Sequence, residues 1–362
     1  MHLGIDAREL AGRPTGVGRY LAGLLAGWAA DPSTSDCRFT LYTHAPLIAT
    51  TLPRGSRIHR IGGRNSLVWE QAVLPHAAWQ DRVDVLFCPA YTTPLVAPMP
   101  RVVTVHDISY VTHPEWFPPL HGRRRRWLTQ LGSRAARAVI TVSDFSRREI
   151  LRDLRVPAEH VHVVRSGIDH PLGVAALPPR EAPSEEILYV GSIFNRRHVP
   201  ALLEAFALLH ARRPQTRLHL VGEDRTFPPE QIAARIAALP HPSAVVWHRY
   251  ATDAVLAERY AAAGCVVFLS SYEGMGLTPL EGLTAGVPPL LLETPVAREI
   301  CGDAALYVTQ ANPSEVAAAL DRLLHDDDVR RRIATATPDV LARYRWAQAA
   351  SQTLAILKSV AR

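Results

Sequence analysis

Short runs rich in Val, Ile and Leu alternate with longer segments of helical period along the whole chain. This is the pattern of parallel sheets whose strands are joined by crossover helices. In the first half the apolar runs predict strands at 2–6, 38–43, 57–61, 84–88, 101–106, 138–142 and 161–164. In the second half they predict strands at 186–190, 217–222, 244–248, 265–270, 287–292 and 305–308. Each set suffices for its own doubly wound sheet, so the predicted fold class is α/β with two Rossmann-like domains, 1–170 and 186–345. Residues 171–185 carry Pro171, Pro178, Pro179 and Pro183 without apolar periodicity and predict the linker. Helices are predicted at 199–212, at 313–325 and, with a stripe of Ala350, Leu354, Ile356 and Leu357, from Trp346 to Val360. Asn312-Pro313-Ser314-Glu315 and Thr278-Pro279-Leu280-Glu281 each combine a cap residue, a proline at the first helical position and a carboxylate three residues after the cap.

Composition agrees with two ordinary cores. The chain has 362 residues, more than one hydrophobic core serves, with 48% hydrophobic and 20% charged residues. Its apolar runs are all too short for a spanning helix, and Met1-His2-Leu3-Gly4-Ile5-Asp6 lacks a signal peptide's basic start, so a cytoplasmic protein is expected. Cys37, Cys88, Cys265 and Cys301 are far apart among apolar neighbours and are expected to be buried thiols, not a metal ligand set. The net charge of +6 is unevenly placed: residues 1–180 hold 22 Arg against 14 acidic residues, and the other half is slightly negative. Lys358 is the only lysine.

Four segments could carry chemistry. Ser271 to Glu281 follows an apolar strand, with Glu273 and Glu281 bracketing Gly274, Met275, Gly276 and Leu277. Such glycines let backbone N–H groups approach a ligand, the amides opening a helix favour phosphate, and flanking carboxylates accept bonds from sugar hydroxyls. Glu281 is equally explained as a capping-box carboxylate. Gly191 to His198 follows strand 186–190, and Arg196 with Arg197 could fork onto a diphosphate at the strand's carboxyl end. Gly16-Val17-Gly18 follows the first strand but lacks the third glycine and the acid of a dinucleotide fingerprint, which disfavours a nicotinamide cofactor. His106 ends the strand 101–106 and could meet a ligand. Asp326-Asp327-Asp328 is assigned to helix capping, and Arg123 to Arg126 lacks the aromatic platform of a nucleic-acid site.

In this order these segments resemble the retaining glycosyltransferases of family 4, with a GT-B fold, over nearly the whole chain. The most specific element is the E-x7-E pattern from Glu273 to Glu281, supported by Gly16-Val17-Gly18-Arg19-Tyr20, Val105-His106-Asp107, Val142-Ser143-Asp144 and Gly302-Asp303-Ala304. The resemblance implies a C-terminal donor domain, an N-terminal acceptor domain and a last helix that returns to the N-terminal domain. It gives Glu273 and His106 catalytic contacts with the donor sugar, and Glu281 the ribose hydroxyls. Arg196, Arg197 and the Gly274–Leu277 loop take the diphosphate, and Gly16, Val17 and Gly18 an acceptor or phosphate loop. The co-substrate is a nucleotide diphosphate sugar, with no further cofactor and no metal. Ser192 and Arg197 stand where the family often carries other basic residues, and His198 where glycine or asparagine is usual. The base is expected near Gly222 to Arg225 and Arg249 to Tyr250.

His106 to Tyr110 with His113 to Phe117 resembles the mannosyltransferases that build bacterial polysaccharides from GDP-mannose. The leading expectation is therefore mannose transfer to a saccharide or lipid-linked acceptor. The alternative is a UDP-sugar-dependent transferase, or a GT-B enzyme such as an epimerase. Arg123, Arg124, Arg125 and Arg126 are expected to meet an anionic membrane surface, and nucleic acid is not an expected partner.

Overall fold

Strands buried on both faces read as continuous apolar runs, and the runs become thirteen strands among the described residues. A computed structural model describes residues 1–12, 15–47, 50–63, 66–169 and 184–361. Residues 171–183 of the expected linker therefore lie outside the described residues. The chain divides into two units: Met1–Pro114, Pro119–Gly167 and Tyr344–Arg362 form the first, Glu115–Pro118 and Ile168–Arg343 the second.

The first unit contains β1 (His2–Asp6), β2 (Arg38–Thr43), β3 (Arg57–Arg60), β4 (Val85–Cys88), β5 (Arg101–Thr104), β6 (Ala138–Thr141) and β7 (Val161–Val163). They form one parallel sheet of order β3-β2-β1-β4-β5-β6-β7, with Ile5 opposite Leu41 on one side and Phe87 on the other. The second unit contains β8 (Glu186–Val190), β9 (Arg217–Val221), β10 (Val245–His248), β11 (Cys265–Phe268), β12 (Pro289–Leu292) and β13 (Leu306–Val308). Their order is β10-β9-β8-β11-β12-β13. Strand starts match the apolar runs to within two residues, and the predicted carboxyl ends of several run too far. There the backbone leaves the ladder for loops, as at Ser271, whose N–H turns to the carbonyl of Arg196 (2.8 Å).

One face of the first sheet packs Leu3, Ile5, Leu41 and Val102 against Leu21, Leu24 and Trp28 of helix Gly16–Ala30. Ala350, Leu354 and Leu357 of helix Trp346–Val360 complete that core. The two helices approach closely because Gly23 and Gly27 lie beneath Trp346 and Ala350, and a Cβ on Gly23 would overlap the indole. Trp28 Nε1 donates to the Ala350 carbonyl at 2.8 Å. All four cysteines are buried free thiols.

Asn312 caps helix Pro313–His325 by accepting from the amides of Ser314 and Glu315. The expected reciprocal bond is absent, because Glu315 instead accepts from the Thr309 amide (2.8 Å). Asp326 caps helix Asp327–Leu341, while Asp327 and Asp328 pair with Arg330 and Arg331. Among the described residues, no helix is long and apolar enough to cross a membrane.

Replacing Gly23 by alanine forces Trp346 out of its seat. The expected cost is about 1–3 kcal/mol, measured as a lower denaturation midpoint by tryptophan fluorescence, and an unchanged midpoint would contradict this packing.

Candidate active site

In the second sheet, chain order reverses between β8 and β11, the point where doubly wound sheets open a crevice beyond the strands' carboxyl ends. The loops leaving these strands carry Arg196, Arg197 and Glu273. Arg197 Nε donates to Glu273 Oε1 at 3.0 Å, and Nη1 donates to the Ser192 carbonyl at 2.8 Å. The Arg197 guanidinium also lies 4.7 Å from the Phe268 ring centroid. Glu273 Oε1 accepts a second bond from Ser270 Oγ (2.9 Å). Arg196 is 9% exposed; its Nε lacks a hydrogen-bond partner, sits 3.6 Å from Glu273 and lies in a guanidinium stacked on Phe194. Two cations and one carboxylate thus share a mostly buried locus. Burial opposes the charge on Arg197, but Glu273 and Tyr189 hold it firmly protonated.

The arginine loop needs two special backbone positions. A Cβ on Gly222 would overlap the Gly191 carbonyl oxygen, so the turns after β8 and β9 can touch only through glycine. His198, at φ +50°, occupies the left-handed region just before helix Val199–Arg212. That backbone conformation explains why a glycine or asparagine suits the position, and His198 accepts the strain.

The capping box expected at Thr278 is not formed. Gly276, at φ +79°, precedes helix Leu277–Thr284, which places Thr278 inside the first turn. Its hydroxyl donates to the Val190 carbonyl (3.1 Å), and buried Glu281 accepts at Oε2 from the Tyr260 hydroxyl (2.8 Å). A glycine able to take positive φ starts the helix before the threonine can cap it. Gly274 and Met275 are buried, whereas Gly276 and Leu277 are partly exposed at the helix start. Near the expected base site, Arg225 pairs with Glu223, Arg249 stacks on Trp247 and Tyr250 is exposed.

In the first unit, His106 follows β5, with Nε2 2.9 Å from the Pro89 carbonyl oxygen. Burial pushes its pKa below the usual histidine value, and nearby Arg125 adds to this against the Pro89 bond and Asp107. Gly16, Val17 and Gly18 form the first turn of helix Gly16–Ala30, where Gly18 N–H donates to the capping Thr15 hydroxyl (3.0 Å). The four-arginine run does not act as one surface. Arg123, Arg124 and Arg126 are exposed, but Arg125 turns inward onto the rings of Tyr91 and Tyr110. Helical geometry points every fourth side chain of a continuous run toward the core.

Sequence patterning missed two clusters. Tyr260 is one, since a tyrosine 21 residues before its partner reads as core. The other stands where the first sheet reverses between β1 and β4. There Arg8 pairs with Asp6 (2.6 Å) and Glu70 (2.8 Å) and stacks on Trp69, and Thr92 donates to Glu70 (2.7 Å). The adjacency of Asp6 and Arg8 was the only local signal.

The family model described as Glycosyl transferases group 1 matches residues 178–340, and that described as Glycosyltransferase Family 4 matches residues 14–171. The chain belongs to this family of two-domain GT-B glycosyltransferases. It is 30% identical over 264 residues to the O-antigen chain mannosyltransferase B of Escherichia coli, covering 70% of this chain and 68% of that one. It is also 30% identical over 285 residues to the MMP alpha-(1->4)-mannosyltransferase of Mycolicibacterium hassiacum, covering 73% and 66%. Among solved structures, Anabaena Alr3699/HepE in complex with UDP and glucose superposes with TM-score 0.75 at 19% identity, covering 99% and 100% of the two chains. WaaG, a glycosyltransferase involved in lipopolysaccharide biosynthesis, superposes with TM-score 0.74 at 17% identity, covering 99% of each.

Replacing Tyr260 by phenylalanine removes a buried hydroxyl donor to Glu281. A destabilisation of about 1–3 kcal/mol is expected, read from chemical denaturation, and a loss below about 0.3 kcal/mol would show that the bond contributes nothing.

Proposed function

We propose that the chain is a retaining hexosyltransferase that moves mannose from GDP-mannose to a saccharide or lipid-linked acceptor. The observation that carries this reading is the convergence of Arg196, Arg197 and Glu273 at the reversal point of the second sheet, beside the helix opened by Gly276. The mannosyltransferases at 30% identity favour the sugar.

In this reading Arg196 and Arg197 meet the charge that develops on the departing diphosphate, aided by the amides at Gly276 and Leu277. Preorganised charges in a mostly buried site stabilise such a transition state without reorganising. Glu273 accepts hydrogen bonds from sugar hydroxyls at the reacting ring, and its negative charge favours an oxocarbenium-like centre. Glu281, held by Tyr260, takes the ribose hydroxyls. His106 adds a hydrogen bond to a substrate hydroxyl. Charge compensation by two guanidiniums makes the reading metal-independent.

A second part concerns the acceptor side. On helix Pro119–Ala135, Leu120 is 74% exposed and Trp127 57% exposed, with Arg123 and Arg124 between them at helical spacing. Apolar and basic side chains so mixed suit the headgroup layer of an anionic membrane or the diphosphate of a lipid-linked acceptor.

Glu273→Ala is expected to lower kcat by about 10³-fold, while GDP still raises the melting temperature nearly as in the unmodified protein. Wild-type turnover would remove Glu273 from the mechanism. A thermal-shift panel of GDP, UDP and their sugars is expected to show protection by GDP and GDP-mannose; protection by UDP alone would replace the donor. The protein should sediment with phosphatidylglycerol vesicles at low salt, less so at high salt, and poorly after Arg123→Ser with Arg124→Ser and Trp127→Ser. Salt-independent or unchanged sedimentation would exclude this membrane face.

A further inference from the structure

His106 is packed by several segments of the first unit. The carbonyl of Pro89 can only accept, so the 2.9 Å contact places the hydrogen of the neutral imidazole on Nε2 and the lone pair on Nδ1. Tyr20, from helix Gly16–Ala30, meets the ring edge-on at 4.8 Å between centroids and 89°. Tyr91, from the loop after β4, meets it at 5.4 Å and 61°. Ser146 Oγ donates to the His106 carbonyl (3.2 Å).

Tyr91 is held in an unfavourable backbone state, at φ +66°. For a bulky residue this conformation persists only where the surroundings impose it. Three contacts do so. The Tyr91 N–H donates to the Thr104 carbonyl (2.8 Å), and its hydroxyl donates to Asp107 Oδ2 (3.2 Å). The Arg125 guanidinium lies on the ring, 4.1 Å from its centroid, and 4.6 Å from the centroid of Tyr110. The two rings stand 6.1 Å apart and nearly perpendicular (78°), so the cation sits in the corner they form.

We infer that Arg125 is a positioning residue: seated in the corner formed by the Tyr91 and Tyr110 rings, it fixes Tyr91 against His106, so that the imidazole presents Nδ1 as the acceptor for a substrate hydroxyl. This rests on the reading of His106 as a substrate contact and adds which nitrogen serves and what holds it. The groups facing His106 are the cation Arg125, the anion Asp107 and the phenols Tyr20 and Tyr91. Burial and Arg125 oppose a second proton, and the Pro89 bond and Asp107 favour it. Once Nδ1 is protonated it can no longer accept, so activity has an acid limb that follows His106. Removing the Arg125 charge raises the pH at which that limb falls.

The test compares Arg125→Met and Arg125→Lys with the unmodified full-length protein. Nitrogen NMR of labelled histidine, without substrate, is expected to show the Nε2–H form of His106 through neutral pH. In Arg125→Met the protonation of His106 and the acid limb of kcat/KM should both move to higher pH. Arg125→Lys, which keeps a cation without the plane, should leave the limb near its original position while raising KM several-fold. Unmoved His106 signals and an unmoved limb in Arg125→Met would overturn the proposal. If that variant does not fold, the lysine variant decides: a several-fold higher KM supports the clamp, and wild-type KM overturns it. His106→Ala separates the two levels. Full turnover in that variant overturns the substrate contact itself, whereas lost turnover with unchanged Arg125 variants overturns only the role of Arg125.

Discussion

The ion pair between Arg197 and Glu273 joins the two loops on which the second unit's site is built. It links the segment after β8 to the segment after β11, two neighbouring strands between which the chain order reverses. Arg197 is also tied to Ser192 within its own loop, so the pair fixes both the position of the charge and the course of the backbone. Removing one partner would leave the other to its secondary partners, Ser192 for Arg197 and Ser270 with Arg196 for Glu273. The flanking features follow from this constraint. Gly191 and Gly222 let the turns approach, His198 bends the chain from the arginines into a helix, and Phe268 supplies a face for the guanidinium.

The two carboxylates of the E-x7-E pattern are set in different surroundings. Glu273 sits among cations and a hydroxyl, so its charge is balanced before any ligand arrives. Glu281 lies on the helix beyond and is oriented by the phenol of Tyr260. Equal spacing in the sequence thus conceals unequal electrostatics. A residue poised against arginines suits a charged intermediate, and one held by a neutral donor suits hydroxyl recognition.

Most of the fold was legible because parallel strands buried on both faces leave unmistakable apolar runs. Strand β11 and its neighbours were found for that reason, and their ends were overrun because Leu269 and Ser270 are as buried as the strand itself. The arginine pair and Glu273 were legible from their place after strands. Other features depend on partners distant in sequence or on backbone angles. The helix start at Gly276 turns on one positive φ, the role of Arg125 on helical phase within a uniform run, and the Arg8 cluster on Glu70, 62 residues away. Such pairings leave no periodic trace in a single chain.

Helix Trp346–Val360 fills the groove made by Gly23 and Gly27 and buries Trp28, yet 176 residues, Ile168–Arg343, separate it from the rest of its unit. At a synthesis rate of about 5–20 residues per second, the first unit waits on the order of ten to thirty seconds for its closing element. During that interval a nascent chain presents an open glycine-lined trough, with the Trp28 indole lacking its carbonyl partner. The first half to be made is therefore the last to be finished, and a chain truncated before Trp346 leaves one face of its first sheet without the helix that closes it.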